Sequence, residues 1–309
     1  MFSRRHPFLF SLLILALLAT LSIVSIAVVA AIALKQSDFS EFVSESGGEK
    51  VGVVEIKGVI TQSKDTIALI KHFREDSAIR AIVLRIDSPG GVVGPSQEIF
   101  REVRKTIGTK TVVASMGSIA ASGGYYIAAA ADGIVANPGT ITGSIGVIMA
   151  YTNFRKLLDK IGLIPVVIKS GEFKDMGSPT REMTPDEKRV LQNFVDQTHR
   201  QFVQAVSEGR KMDPAHAASL ADGRIFTGEE AVKQGLVDRL GNLEDAVEWA
   251  GRLGGIEGKI STVYKKEERF TFFKYLTEAA AKKIMDTWMG SDIYGAYLYR
   301  PADSASQTQ

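Results

Sequence analysis

The sequence predicts an α/β domain built on parallel strands, and three observations carry that expectation. Short β-branched apolar runs alternate with stretches of helical spacing, in the order strand, helix, strand, helix. The chain has 309 residues, 45% of them hydrophobic, which suits one large domain or two small ones with ample core. It has no cysteine, so neither disulfides nor thiolate metal sites shape the fold.

The elements follow in order. Residues 8–34 carry no charge. As a helix they would be roughly 40 Å long, enough to cross a bilayer core of about 30 Å with some tilt. Ala31-Ile32-Ala33 resembles a signal cleavage site, but a cleavable signal has an apolar core of only about 7–15 residues, so the length favours a retained anchor. Arg4 and Arg5 ahead of it orient the N-terminus to the cytoplasm and the rest of the chain outside. Lys35 to Lys50 is polar, contains Gly47-Gly48, and reads as a linker.

Val51 to Ile56 is the first expected strand, and Asp65 to Phe73 a helix with Ile67, Ile70 and Phe73 at helical spacing. Ala81 to Ile86 is a second strand, ending at Asp87-Ser88-Pro89-Gly90-Gly91. Pro95 to Ile107 reads as a helix with Ile99, Val103 and Ile107 on one face. Thr111 to Ala114 is a third strand, followed by a loop that leads to Ser122. Thr184-Pro185-Asp186-Glu187 opens the clearest helix, with Thr184 as N-cap, Pro185 at N1 and Glu187 closing a capping box; it runs to about Arg210. Thr227 and Glu230 form a second capping box before a short helix ending near Gly235. Both helices read as packing elements. The residues from Asp303 to Gln309 are polar and are expected to be disordered.

Composition excludes several function classes. A net charge of +2 is too balanced for a nucleic-acid partner. His6, His72, His199 and His216 lack metal-ligand spacing, and none lies in a Gly-rich or small-residue run. No metal or cofactor is expected. Without an obvious catalytic histidine, a lysine becomes the candidate base.

Ser122 lies in Ala120-Ala121-Ser122-Gly123-Gly124-Tyr125-Tyr126. Small neighbours let a substrate backbone approach a nucleophile. If Ser122 begins a helix, the Gly123 amide faces the place where an oxyanion develops. The same string also reads as a close-packed helix start. Gly90-Gly91 after a buried strand can present amides to an anion, or can simply make a turn. Lys174, in Gly171-Glu172-Phe173-Lys174-Asp175, reads alone as a surface charge. A lysine base must be neutral, and at an ordinary pKa only about 0.04% is neutral at pH 7. Burial can lower a lysine pKa by about 3–5 units, so such a base needs an apolar cover.

Together, the strings Asp87-Ser88-Pro89-Gly90-Gly91, Ala121 to Ile127, Thr142-Gly143-Ser144-Ile145-Gly146-Val147, Lys169 to Asp175, Ser178 to Thr184 and Gly223 to Asp238 identify a resemblance. From about Val51 to Leu253 the chain resembles the signal peptide peptidase A (SppA) family of membrane-anchored bacterial proteases. The resemblance implies a ClpP/crotonase-like fold of repeated ββα units preceded by one N-terminal transmembrane helix. It implies Ser122 as nucleophile, Lys174 as general base, Ser144 orienting the lysine, and oxyanion-hole amides from Gly91 and Gly123. It also implies the short, single-domain form, assembled as a homo-oligomeric ring, an octamer in expectation, in which neighbouring copies can each contribute one dyad residue. The implied substrates are apolar peptides, namely remnant signal peptides left in the membrane. The implied location is the bacterial inner membrane, with the catalytic domain on the periplasmic side.

The expected organisation is a cytoplasmic N-terminus (1–7), an anchor (8–34), a linker (35–50), a protease domain (51–255), a C-terminal extension (256–300) and a tail (301–309). The extension is rich in aromatic residues from Phe270 to Tyr299, and it reads as an oligomer contact or a membrane-surface contact. Three rivals remain: a stomatin-partner membrane protease of the same superfamily, a crotonase-type acyl-CoA enzyme, and a non-catalytic membrane scaffold.

Overall fold

In the computed structural model the described residues are 49–265 without a break, residues 42–44 and 296–298, and Phe8, Leu15, Leu17, Thr20 and Leu21. The contacts divide the chain into two units, Met1–Val43 and Ser44–Gln309. In the first unit the five isolated residues are helical, and Phe8, Leu15, Leu17 and Leu21 are exposed. Among the described residues no helix is long and apolar enough to cross a membrane. Most of the expected 8–34 span lies outside them, as does most of the aromatic segment 270–299.

The strands are β1 (Phe42–Ser44), β2 (Lys50–Lys57), β3 (Ile79–Ser88), β4 (Gly90–Val92), β5 (Thr111–Ala121), β6 (Gly133–Ala136), β7 (Ile141–Gly143), β8 (Ile225–Thr227), β9 (Arg239–Leu240), β10 (Ser261–Lys265) and β11 (Ala296–Leu298). The helices are α1 (Lys64–Glu75), α2 (Val93–Thr106), α3 (Gly123–Ala128), α4 (Arg155–Ile161), α5 (Pro185–Arg210), α6 (Pro214–Ser219), α7 (Gly228–Lys233) and α8 (Leu243–Leu253). In the second unit the main sheet runs β10-β2-β3-β5-β6-β9, with every neighbouring pair parallel. β7 continues beside the end of β5 in parallel and pairs antiparallel with β8.

Central strands of a parallel sheet are covered on both faces and read as continuous apolar runs. Val51 to Val54 of β2 and Ala81 to Leu84 of β3 are accordingly buried throughout. On one face, α8 sets Ala246, Val247 and Ala250 against Val51, Val53, Ala81, Val83, Val113 and Val135. α1 and α2 also pack on the sheet, burying Ile70 and Phe73, and Ile99 and Val103. Deleting a ring such as that of Phe73 from a core costs about 3–5 kcal/mol.

The mixed α/β expectation with parallel strands is met, and the differences are local. β5 does not stop at Ala114. It continues to Ala121, so the expected loop before Ser122 is strand. Ser115, Gly117 and Ser118 interrupt the apolar pattern that would mark this continuation in the sequence. β10 lies beyond the boundary expected at 255, yet pairs with β2 from Ser261↔Lys50 to Tyr264↔Val53 and so belongs to the main sheet. A third capping box, Asn242 with Asp245, opens α8.

Candidate active site

The register of the sheet brings the two serines together. β5 and β7 align Ile119 with Ile141, Ala120 with Thr142 and Ala121 with Gly143. The next residues along are Ser122 and Ser144. The Ser122 N–H donates to the Gly143 carbonyl at 2.8 Å, and the Ser144 N–H to the Arg224 carbonyl at 2.8 Å. At this point β5 turns directly into α3. Ser122 is the N-cap, with φ 53° and ψ −117°, and its carbonyl accepts from the Tyr126 N–H at 2.8 Å. Ser144 also has a positive φ, of 49°. A non-glycine residue in such a conformation costs about 1–3 kcal/mol and persists only where the surroundings over-determine it.

Those surroundings are rigid. Every residue of α3 is buried. The Tyr125 hydroxyl, fully buried, donates to the Leu236 carbonyl at 3.0 Å, and burial pushes its pKa well up. Tyr126 packs between Phe100 and Phe202, with both ring centroids 4.9 Å away. The Asp87 carboxylate accepts from the Ile119 N–H at 3.2 Å and so ties the end of β3 to β5.

Gly91 lies on β4, which packs against α3. It bridges Ile60: the Val92 N–H donates to the Ile60 carbonyl at 2.8 Å, and the Ile60 N–H to the Gly90 carbonyl at 2.9 Å. A Cβ at Gly91 would lie 2.1 Å from the Ile60 oxygen, so only glycine allows this approach. The bridge uses the amide of Val92 and the carbonyl of Gly90, which leaves the Gly91 N–H directed to the other edge. On that edge β11 pairs antiparallel, with Tyr297 opposite Gly91.

Ser122 and Ser144 line one cavity of about 340 Å³, with Gly146, Val147 and Ile148 on one wall and Val195, Asp196 and His199 of α5 on another. Asp222 closes it, and hydrogen bonds from Arg224 hold that carboxyl down to about 2, so it is ionised at neutral pH. The His199 Nε2–H donates to the Ala221 carbonyl at 2.7 Å. The sequence marks neither His199 nor this helix, which reads there as a packing element. The available signal was Val195 and His199, four apart and therefore on one helix face. A second cavity of about 350 Å³ shares Val195 and continues along α5 past Leu191, Met183 and Tyr151.

Lys174 is elsewhere. It does not line the cavity with Ser122, and it is exposed. In the stretch before it, α4 buries no residue, and Ile164, Val166 and Ile168 are 87%, 82% and 97% exposed. Ser122 and Ser144 thus share one cavity, Gly123 follows Ser122 at the start of α3, Gly91 lies on a strand packed against α3, and Lys174 is not among the residues that line the cavity. Among the described residues no group of histidine or carboxylate side chains could hold a metal.

Comparison with known proteins gives this arrangement a relationship. The model of peptidase family S49 matches residues 105–257, a span that includes Ser122, Gly123, Ser144 and Lys174. A chain of Synechocystis sp. that carries the provisional name of a protease is 46% identical over 211 residues, covering 68% of this chain and 76% of its own. A provisionally named protease of Methanocaldococcus jannaschii is 34% identical over 270 residues, or 82% and 87% of the two chains. A chain of Enterococcus faecium provisionally named signal peptide peptidase SppA is 36% identical over 228 residues, or 69% and 66%. On the family match and these relatives, the chain belongs to peptidase family S49.

Proposed function

We propose that this peptidase is a serine endopeptidase in which Ser122 attacks the scissile carbonyl and Lys174, from a neighbouring copy, is the general base. The observation that carries the reading is Ser122 itself: a strained serine at a strand-to-helix junction, on the wall of a cavity it shares with Ser144. An exposed lysine is a poor base, so Lys174 needs a cover that its own chain does not supply. The exposed apolar run beside it, Leu163, Ile164, Val166, Val167 and Ile168, is the kind of surface that packs against another protein. A second copy provides both cover and site: its cavity is lined by Ser122 and Ser144, whose hydroxyls are suited to receive the amine. A homo-oligomeric ring, expected to be an octamer, closes this head-to-tail contact.

In the reaction, neutral Lys174 takes the Ser122 proton as Oγ attacks, and Ser144 orients the amine. The Gly91 and Gly123 amides stabilise the oxyanion; losing one such donor costs about 10²–10³ in rate. The lysine ammonium then protonates the leaving amine, and a water activated by Lys174 releases the acyl group. The β4 edge pairs an extended segment of this chain, β11, and a substrate peptide would take that segment's place beside Gly91.

The proposed substrates are remnant signal peptides. The domain has a ClpP/crotonase-like fold and hangs on the periplasmic face of the bacterial inner membrane from the 8–34 anchor. Digestion of a synthetic signal peptide by the full chain in detergent, with cuts mapped by mass spectrometry, tests the whole reading. Ser122→Ala and Lys174→Ala should each abolish cleavage. A second reading has His199 as base, because His199 shares the cavity with Ser122 and Lys174 does not. Near-normal cleavage by Lys174→Ala, together with loss in His199→Gln, would select that reading over the lysine.

A further inference from the structure

The string Ser178 to Thr184 has no part in the reaction described above, yet its arginine is the most heavily engaged side chain near Lys174. Arg181 uses all five of its N–H donors. Nε donates to Asp175 Oδ2 at 2.8 Å, and Nη2 to the Asp175 carbonyl at 3.2 Å. Nη1 donates to Glu187 Oε2 at 2.8 Å and to the Glu182 carbonyl at 3.0 Å, and Nη2 also donates to Glu187 Oε1. Asp175 is the residue after Lys174, and its second oxygen accepts from Lys169 Nζ at 2.6 Å. Glu187 is buried in the first turn of α5, where its Oε2 also accepts the Thr184 N–H at 2.8 Å.

The result is a continuous chain of contacts from a 26-residue helix to the base: α5, Glu187, Arg181, Asp175, Lys174. The segment is also tied by the Phe154 N–H to the Pro179 carbonyl at 2.6 Å, by Asn153 Nδ2 to the Arg181 carbonyl at 2.8 Å and by Lys169 Nζ to the Glu172 carbonyl at 2.7 Å. Around Lys174 its main-chain bonds are single turns, from Lys174 to Gly171, Met176 to Phe173 and Ser178 to Asp175. The two bonds to buried Glu187 anchor the arginine on α5, and the bonds to Asp175 reach from there to the exposed loop and orient it. A guanidinium spanning two carboxylates and two carbonyls has the planar fork for that task, and an ammonium does not. Arg181 keeps both carboxyls ionised: its hydrogen bonds are the largest cause of the lowered pKa of Asp175 and of Glu187.

We infer that Arg181 is a positioning residue for Lys174, transmitting the rigidity of α5 to the base through Asp175. The inference rests on the reading of Lys174 as general base. It therefore predicts a loss in the chemical step, with substrate binding retained.

The test uses the full chain in detergent with an apolar fluorogenic peptide, and measures kcat, KM and thermal midpoint for wild type, Lys174→Ala, Arg181→Gln, Arg181→Lys and Asp175→Asn. For Arg181→Gln we expect kcat to fall about 30- to 100-fold, the scale of a misplacement of about 1 Å, with KM within about threefold of wild type. Arg181→Lys should recover only a minor part of that loss. If Arg181→Gln fails to fold, Asp175→Asn carries the test, because it leaves the Arg181–Glu187 pair and the capping box in place; the same kcat-only loss is expected. A kcat within about threefold of wild type in the folded variant, with Lys174→Ala inactive, overturns the positioning role and leaves the dyad standing. A rise in KM that accounts for the whole loss, or full recovery in Arg181→Lys, also overturns it. Activity in Lys174→Ala overturns the dyad reading and this inference together.

Discussion

The strand that ends at Ser122 and the loop that carries Lys174 are built by opposite means. Ser122 is 1% exposed, and its place follows from sheet register, a buried helix and two aromatic contacts. Lys174 is exposed on a segment whose helix buries nothing, and what fixes its loop is a set of ion pairs. The difference teaches where assembly can act. On the proposed reading, a nucleophile set by packing is ready in a single chain, while a base set by ion pairs awaits a partner that removes water from it, proposed to be the next copy.

The sharpest way to break the comparison is to attack the prepared half. Ser122→Ala should lower kcat/KM by at least about 10⁴-fold, because a nucleophile cannot be replaced by its neighbours. The thermal midpoint should hold, since one hydroxyl leaves and the surrounding packing stays. Labelling by a fluorophosphonate should vanish with activity. Persistent labelling at another serine would remove Ser122 from its role.

The delivered half is tested by mixing. Ser122→Ala and Lys174→Ala should each be inactive alone. If the base comes from a neighbour, dissociating and reassembling them together should restore about a quarter of wild-type activity, because one contact in four joins an intact serine to an intact lysine. No recovery from ring-competent mixtures would place the dyad within one chain.

Gly91→Ala should be next in size. Its Cβ would have to displace the Ile60 carbonyl, at 2.1 Å. Backbone shifts of this kind cost about 1–3 kcal/mol, which lowers the thermal midpoint by about 2–10 °C. If the Gly91 amide serves the oxyanion as proposed, activity should fall further than stability, because that amide moves with the strand. A variant with normal kcat would take Gly91 out of the oxyanion hole.

The same contrast explains what the sequence allowed to be read. The strands of the core, the caps Thr184, Glu187, Thr227 and Glu230, and Ser122 as a helix start are local patterns, written within a few residues. β10 was illegible because Ser261 to Lys265 becomes a sheet strand only by pairing with β2, some two hundred residues earlier. His199 is illegible because a histidine on an amphipathic helix carries no mark of the cavity it lines. The meeting of Ser122 with Ser144 depends on the β5–β7 register, which no single string encodes. The clamp on Asp175 was hidden for a similar reason: an arginine six residues from a carboxylate looks like any surface charge until the loop folds back.

The smallest effect expected is a response to acid that separates the two halves. Arg181, and after it the Thr184 amide, hold the Glu187 carboxyl down from its ordinary value of 4.5 to about 2. A carboxyl lowered in the folded state stabilises it when ionised. That contribution is complete above about pH 4.5 and is lost as the pH falls towards about 2. Beside β5 the sign reverses. Asp132, which accepts the Val112 N–H, has its carboxyl pushed up by burial, so protonating it withdraws nothing from the strand that leads to Ser122. Hydrogen-exchange protection, corrected for intrinsic rates, should therefore fall in residues 169–187 between about pH 5 and 2.5 while residues 111–128 keep theirs. Glu187→Gln should loosen the first segment at every pH and flatten its acid response. Equal loss of protection in both segments would mean that acid unfolds one cooperative unit, and that the base-bearing loop is no softer than the strand of the nucleophile.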